Sequence, residues 1–351
     1  MASDKSTIII TGADGGLGKA LVRHVLSSPE LSQCHGLYTV RDKTSSSSSA
    51  LLSILRTAPS SHTYDVISLD LTKPTSVREV SGSINNRVAA GEIAPIRALI
   101  MNAGVNEFSK QTWTDEGLDT AFAANYLGHW LLTLLILRSM NRDAGRIVAL
   151  GSQSHDPHHH GNDSSGAYQD KKWKTIFSDA NANAIDSVAK GSWSTSKDDP
   201  SWLSGFRRYG ASKLCGVMMI GELQRRLNAD AQLNNVCALT VNPGTMSTGL
   251  QRSAPWFIRV VLFSVIFPVI TWFKPYGNIR TTTKSAADVL SAAFGTSPTL
   301  GQYPKGLYLD GLSIAEPSAE SKDELKRKEL WSASVKYIDL KAEETILANC
   351  M

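Results

Sequence analysis

Cysteine is scarce. The four thiols, Cys34, Cys215, Cys237 and Cys350, lie far apart in 351 residues and form no Cys-x-x-Cys pair. That spacing excludes a disulfide framework and a zinc ribbon, and it reads as the reduced thiols of a cytoplasmic protein. A surplus of one charge is also missing, with 36 Lys and Arg against 32 Asp and Glu. No basic block with interleaved aromatics occurs, which argues against a nucleic-acid partner. The apolar run Val260 to Phe273 has 14 residues, short of the roughly 20 that span a bilayer, and it is interrupted by Pro268 and flanked by Arg259 and Lys274. Internal repeats are absent, and the six polar residues before the first apolar run leave no room for a signal peptide. What is present is 42% hydrophobic residues, enough to bury a large core.

Strand-like and helix-like stretches alternate along the chain. Strands are expected at 7–11, 36–41, 64–69, 96–101, 145–151, 235–241 and 306–310. Helices are expected at 16–28, 50–58, 74–90, 114–140, 206–229 and 283–294. This alternation predicts an α/β fold, a doubly wound parallel sheet of about seven strands with helices on both faces, in a single domain over 1–351. Ser45 to Ser49 reads as an exposed serine loop before the second helix. Residues 156–205, rich in His, Asp, Asn, Ser and Trp, read as a long solvated loop insertion. Residues 318–347 alternate charges at helical spacing and read as a solvated surface helix.

Thr7 to Thr11 is a β-branched run ending in Gly12-Ala13-Asp14-Gly15-Gly16-Leu17-Gly18, and a helical pattern follows. Glycines there let the backbone approach a ligand, and the following helix aims its free N–H groups at a pyrophosphate. A strand, a glycine turn and a helix in that order predict a dinucleotide site. Three Tyr-x-x-x-Lys spacings occur, Tyr168/Lys172, Tyr209/Lys213 and Tyr337/Lys341. Only Tyr209 opens a long amphipathic segment that would pack on a sheet; the other two read as exposed tyrosines near a lysine by chance. On a helix the Lys213 ammonium shares a face with Tyr209, where it would lower the phenol pKa from its usual value near 10.

These motifs resemble the short-chain dehydrogenases/reductases, in their single-domain, retinol-dehydrogenase-like branch, over about residues 6–312. Similar enzymes occur in fungal natural-product pathways. Thr11, Gly12, Gly16, Leu17 and Gly18 fit that family's cofactor turn, and Asn102-Ala103-Gly104 fits its sheet-stabilising Asn-Ala-Gly. The resemblance implies a catalytic tetrad of Asn125, Ser152, Tyr209 and Lys213, with Asn125 carrying a water in the proton relay. Pro243, Gly244 and Thr248 match the turn beside the nicotinamide. Asp70, with Leu71 next to it, matches the adenine contact, although a helix-capping Asp is the plainer reading.

The second strand ends with Val40 where an NAD enzyme of this fold carries an acid, and Arg41 follows it. Arginine can pair with a 2′-phosphate, so the expected cofactor is NADP(H). The resemblance then implies an oxidoreductase reducing a ketone or aldehyde of a lipophilic small molecule, reversibly with the alcohol. Double-bond reduction, isomerisation and a non-catalytic NADP-binding regulator are the alternatives. His155, His158, His159 and His160 lie beside Asp156 and Asp163 in the insertion, but consecutive loop histidines lack the geometry of a dedicated metal site, and no metal is expected. His155, three positions after Ser152, is the one expected near the pocket. The apolar run inside 250–280 reads either as a substrate lid, with peripheral contact of residues 255–273 with an intracellular membrane as a further role, or as ordinary core. Many members of the family pair through the helix carrying Tyr209, so a homo-oligomer is open.

Overall fold

The computed structural model describes residues 6–179, 181–248 and 279–351. The lid at 250–280 falls almost wholly outside the described residues, as does the membrane contact assigned to 255–273.

Eight strands form one sheet: β1 (Thr7–Ile10), β2 (His35–Val40), β3 (Tyr64–Ser68), β4 (Ile96–Met101), β5 (Arg146–Leu150), β6 (Cys237–Asn242), β7 (Tyr308–Asp310) and β8 (Ser313–Ile314). Their order is β3-β2-β1-β4-β5-β6-β7-β8, and every pair is parallel except β7 with β8. The seven expected strands are all present; the eighth is a two-residue antiparallel edge. Successive side chains on a strand point to opposite faces. Ile9, Leu37, Leu99 and Ile147 therefore enter one core layer, while Ile8, Ile10, Tyr38, Ile100 and Val148 enter the other.

The first layer is covered by α3 (Pro74–Ala89), α5 (Gly128–Ile136) and α7 (Trp202–Ala229). Helices α1 (Gly16–Ser27), α2 (Ser46–Leu55) and α8 (Thr282–Phe294) cover the second. Strand order reverses between β1 and β4. In open sheets of this kind the ligand crevice lies outside the carboxyl ends of the strands at that point.

Four expectations are corrected. The serine run is not a loop: Ser45 caps α2 by accepting from the Ser48 N–H, and Ser46 to Ser49 form the first turn. The helix expected from 114 begins only at α4 (Thr120–Phe122), because Asp119 caps it and residues 113–119 form a tight turn. It continues through a π turn (Ala123–Leu127) into α5. Among the described residues, Thr120–Ser139 is the stretch long and apolar enough to cross a bilayer, and it is buried inside the protein instead.

Nor is the 156–205 insertion a solvated loop. It holds short 3-10 turns and α6 (Ala184–Ala189), and it buries Ala167, Tyr168, Ile176, Phe177 and Val188. Two consecutive buried arginines of α7 clamp it. Arg207 pairs with Asp199, lies 4.2 Å over the Trp173 ring and donates to the Ser194 hydroxyl at 2.8 Å. Arg208 donates to the carbonyls of Ser194 and Lys110 (2.7 Å each) and pairs with Asp119 at 3.2 Å.

The C-terminal helix is broken and only partly solvated, as α9 (Ala319–Lys322) and α10 (Glu324–Ile338). Leu330, Trp331 and Ile338 enter the core between charged residues. Trp331 packs edge-on against Trp130 with centroids 5.2 Å apart, and its indole N–H donates to the Cys350 carbonyl at 2.6 Å. The last residues continue along the same face, Thr345 donating to the Leu134 carbonyl and Ala348 to the Asp230 carboxylate. Two copies pairing through α7 would therefore meet the chain's own C-terminal segment. Trp331→Ala is expected to cost about 3–5 kcal/mol, the range for emptying a buried aromatic site. Urea unfolding checks this, and a loss below about 1 kcal/mol would show that the tail is merely laid on the surface.

Candidate active site

Almost every residue singled out from sequence reaches one cleft of about 1260 Å³ at the carboxyl ends of the strands. Its floor at one end is the glycine turn after β1. Gly12 has φ +61°, and a Cβ there would lie 2.8 Å from the Ala103 Cα. A Cβ at Gly18 would lie 2.3 Å from the Gly12 carbonyl oxygen. Only glycine fits either place. Helix α1 then starts with no side-chain cap and no acidic residue in its first turn, leaving its N–H groups and positive end for an anion. This cradle fits a dinucleotide pyrophosphate.

Asn102 holds the turn, its amide donating to the carbonyls of Thr11 and Gly12 at 2.8 and 2.9 Å. The Thr11 hydroxyl accepts from the Ala103 N–H at 3.0 Å and pairs with His129 Nε2 at 2.9 Å. Leu17, Gly104, Leu71, Pro243, Gly244 and Thr248 line the same cleft. Asp70 lines it too, and it does not cap α3, whose cap position is Lys73; its carboxylate accepts from the Thr72 N–H and hydroxyl.

At the far end of β2, Arg41 is exposed, lines the cleft and has no ion pair among the described residues. The neighbouring Asp42 carboxylate is engaged in its own turn, accepting from the Thr44 N–H at 2.8 Å and hydroxyl at 2.7 Å. A guanidinium at this place fits the 2′-phosphate of NADP(H). Sequence reading passed over Lys19 and Ser47, which line the cleft beside it; their positions in the first turns of α1 and α2 are the signal for them.

The other end carries the reactive groups. The Ser152 hydroxyl lines the cleft with Tyr209 and, as a polar neighbour, acts to lower the phenol pKa. It also accepts from the Ser154 hydroxyl at 2.9 Å and the Ser154 N–H at 3.3 Å. With its lone pairs so occupied, Ser152 is left to donate. His155 is buried rather than lining the cleft. Its Nδ1–H donates to the Ser152 carbonyl at 2.7 Å, and its Nε2 accepts from the Ser318 N–H at 3.0 Å. Sequence reading missed Ser154 as a support. It also took Tyr168 as exposed, whereas that ring is buried and donates to the Ser154 carbonyl at 3.0 Å. Tyr337, likewise read as exposed, is half-buried and bonds Asp186.

Lys213 donates to the Leu150 carbonyl at 2.8 Å and lies 5.6 Å from the centre of the Tyr209 ring. The expected lowering of the Tyr209 pKa by Lys213 is not what the structure shows. Burial pushes Tyr209 up to about 12, with Ser152 opposing it, and burial pushes Lys213 down to about 8. Tyr209 thus stays a proton donor across the physiological range, and Lys213 is the group that titrates. As pH rises through about 8, Lys213 loses the charge that favours the departing phenolate. Reductive kcat/KM is expected to hold below that pH and to fall above it with a single deprotonation. A pH-rate profile checks this, and an alkaline limb at 10 or higher would contradict it.

Asn125 sits in the π turn with its side chain fully used. It accepts from the Val105 N–H at 2.7 Å and donates to the Val105 carbonyl and the Ser212 hydroxyl, both at 2.9 Å. Its main-chain carbonyl faces His129 Nδ1 at 3.4 Å. Burial and the nearby Lys213 charge push His129 down to about 3, so it links Asn125 to Thr11 as a neutral ring. Asp156, Asp163, His158, His159 and His160 gather no metal-ligating group of three among the described residues.

The arrangement offers two hydroxyl donors to one oxygen, a cation behind them and a cradle for a dinucleotide. The chain is similar to known proteins. The family model described as short chain dehydrogenase matches residues 6–169. A "Short-chain dehydrogenase iccH" of Talaromyces variabilis is 40% identical, over 98% of this chain and 99% of its own. Retinol dehydrogenase 13 of Homo sapiens is 28% identical, over 96% and 85%. The NADPH-bound carbonyl reductase from chicken fatty liver shares the fold, with TM-score 0.57 and 16% identity over 89% of this chain and 99% of that one. The chain belongs to the short-chain dehydrogenase family and is an oxidoreductase.

Proposed function

We propose that the protein reduces a ketone or aldehyde carbonyl of a lipophilic small molecule with NADPH, reversibly with the alcohol. The observation that carries this is the gathering of Ser152, Tyr209 and Lys213 at one end of the cleft, with Lys213 held on the Leu150 carbonyl. When bound, NADP(H) supplies or accepts the hydride at the carbonyl carbon. Gly12, Gly18 and the start of α1 would hold its pyrophosphate, and Arg41 its 2′-phosphate. Charge builds on the carbonyl oxygen during reduction. Ser152 and Tyr209 would both donate to that oxygen, and donors fixed in place before charge develops are usually the largest catalytic contribution. Tyr209 then gives up its proton, and Lys213 stabilises the phenolate left behind.

Two neighbours support the reading. Ser154 and His155 fix the Ser152 hydroxyl and main chain, which a protein that only senses the cofactor has no use for. The 40%-identical relative carries the name of a dehydrogenase over nearly its full length. The test is NADPH oxidation, followed by nicotinamide absorbance, against a panel of lipophilic ketones and aldehydes. Turnover of some members is the expected result. Tight NADPH binding with none turned over would overturn the proposal in favour of double-bond chemistry or a regulator.

A further inference from the structure

Part of the cleft is not used by the hydride and proton transfers, and from it we infer that the substrate is an aromatic carbonyl compound stacked along α7. The inference rests on the carbonyl-reductase reading above. Trp202, Phe206, Tyr209 and Lys213 all line the cleft. They stand at i, i+4, i+7 and i+11, a single stripe down one side of the helix. At the helical rise, Tyr209 to Trp202 covers about 10 Å, room for a fused-ring system whose carbonyl rests at Tyr209.

The Trp202 and Phe206 rings are only half-buried, so each leaves surface open to a guest. Their centroids are 5.8 Å apart with planes at 75°. A flat ring laid on one meets the edge of the other, the pairing that aromatic quadrupoles favour. A cyclohexyl group of similar size gains burial but not that pairing.

The platform is braced. Phe206 rests against buried Tyr168 at 6.0 Å, and Arg207 beside it anchors the insertion. Opposite, Phe108 is held at φ +51°, an uncommon conformation for a bulky residue, with its N–H donating to the Asn106 side chain at 3.1 Å. Its carbonyl packs where Gly205 has no side chain; a Cβ there would lie 1.7 Å from that oxygen. The loop after β4 is thereby locked against the first turn of α7. Backbone strain at a site lining is the kind of feature that marks a shaped pocket.

The experiment compares 4-phenyl-2-butanone and its naphthyl analogue with 4-cyclohexyl-2-butanone, three ketones whose carbonyls are electronically alike. Wild type with NADPH is expected to favour the phenyl over the cyclohexyl compound about tenfold in kcat/KM, and the naphthyl compound further. Trp202→Leu and Phe206→Leu should each cut that ratio about threefold, and the double variant should bring it close to one. Calorimetric binding of the naphthyl alcohol, without NADPH, should weaken in the same order. Equal kcat/KM for phenyl and cyclohexyl in wild type, or no binding of the naphthyl alcohol, overturns the inference whatever the variants do. Binding that is lost in the double variant, with no ketone turned over, upholds the platform and overturns the carbonyl reading instead.

Discussion

Tyr209→Phe is expected to lower kcat/KM for carbonyl reduction by about 1,000-fold while NADPH affinity stays within about threefold. The ring is buried, and it lines the cleft together with Ser152. Phenylalanine keeps the ring and its packing and removes only the oxygen. With it go the proton donor and one of the two donors to the developing oxyanion, whose effects overlap in one group and do not multiply. Steady-state kinetics beside NADPH titration by fluorescence separates the two readouts. Retention of more than a tenth of wild-type activity would show that another group gives the proton. A parallel loss of NADPH affinity would make the tyrosine a cofactor ligand first.

The second large effect concerns the choice of cofactor. Arg41→Ala should raise KM for NADPH about 10- to 100-fold, the range for losing charge-assisted bonds to a phosphate, and should leave KM for NADH within about twofold. Arg41 lines the cleft at the end of β2, and the Asp42 carboxylate beside it bonds Thr44. A screened, exposed contact of this kind should also weaken with added salt. Equal losses for the two cofactors would mean that Arg41 shapes the loop and reads no phosphate.

Much of the cofactor half was legible because its physics is local. Gly12 and Gly18 declare themselves through backbone that tolerates no Cβ, and β1 through an unbroken β-branched run. Asn102 and Ser152 follow strands, and Tyr209 and Lys213 stand four apart on one side of α7, so residue order brings them to one crevice. The choice of Tyr209 among three equally spaced tyrosines also came from context, and the cleft contains that one alone of the three.

What was misread depends on distant partners. Ile176, Phe177 and Val188 are isolated apolar residues in a polar stretch, and no period announces their burial. Their segment is held by Arg207 and Arg208, two buried charges whose partners Asp199 and Asp119 no local pattern reveals. Trp331 was hidden among lysines and glutamates in the same way. The serine run misled because serine favours caps and turns, yet Ser45 is the cap and its neighbours are the helix. The pKa of Tyr209 was misjudged in direction because spacing conveys the nearness of Lys213 but not the burial that raises the phenol.

The measurement that bears most directly on the central claim is the fate of the hydride. The enzyme is given NADPH deuterated at the transferable position and a ketone it turns over, and the product is read by mass spectrometry and NMR. The account predicts one deuterium on the carbinol carbon and a new hydroxyl whose hydrogen comes from solvent. Deuterium on a carbon next to an intact carbonyl, or product without deuterium, would contradict it.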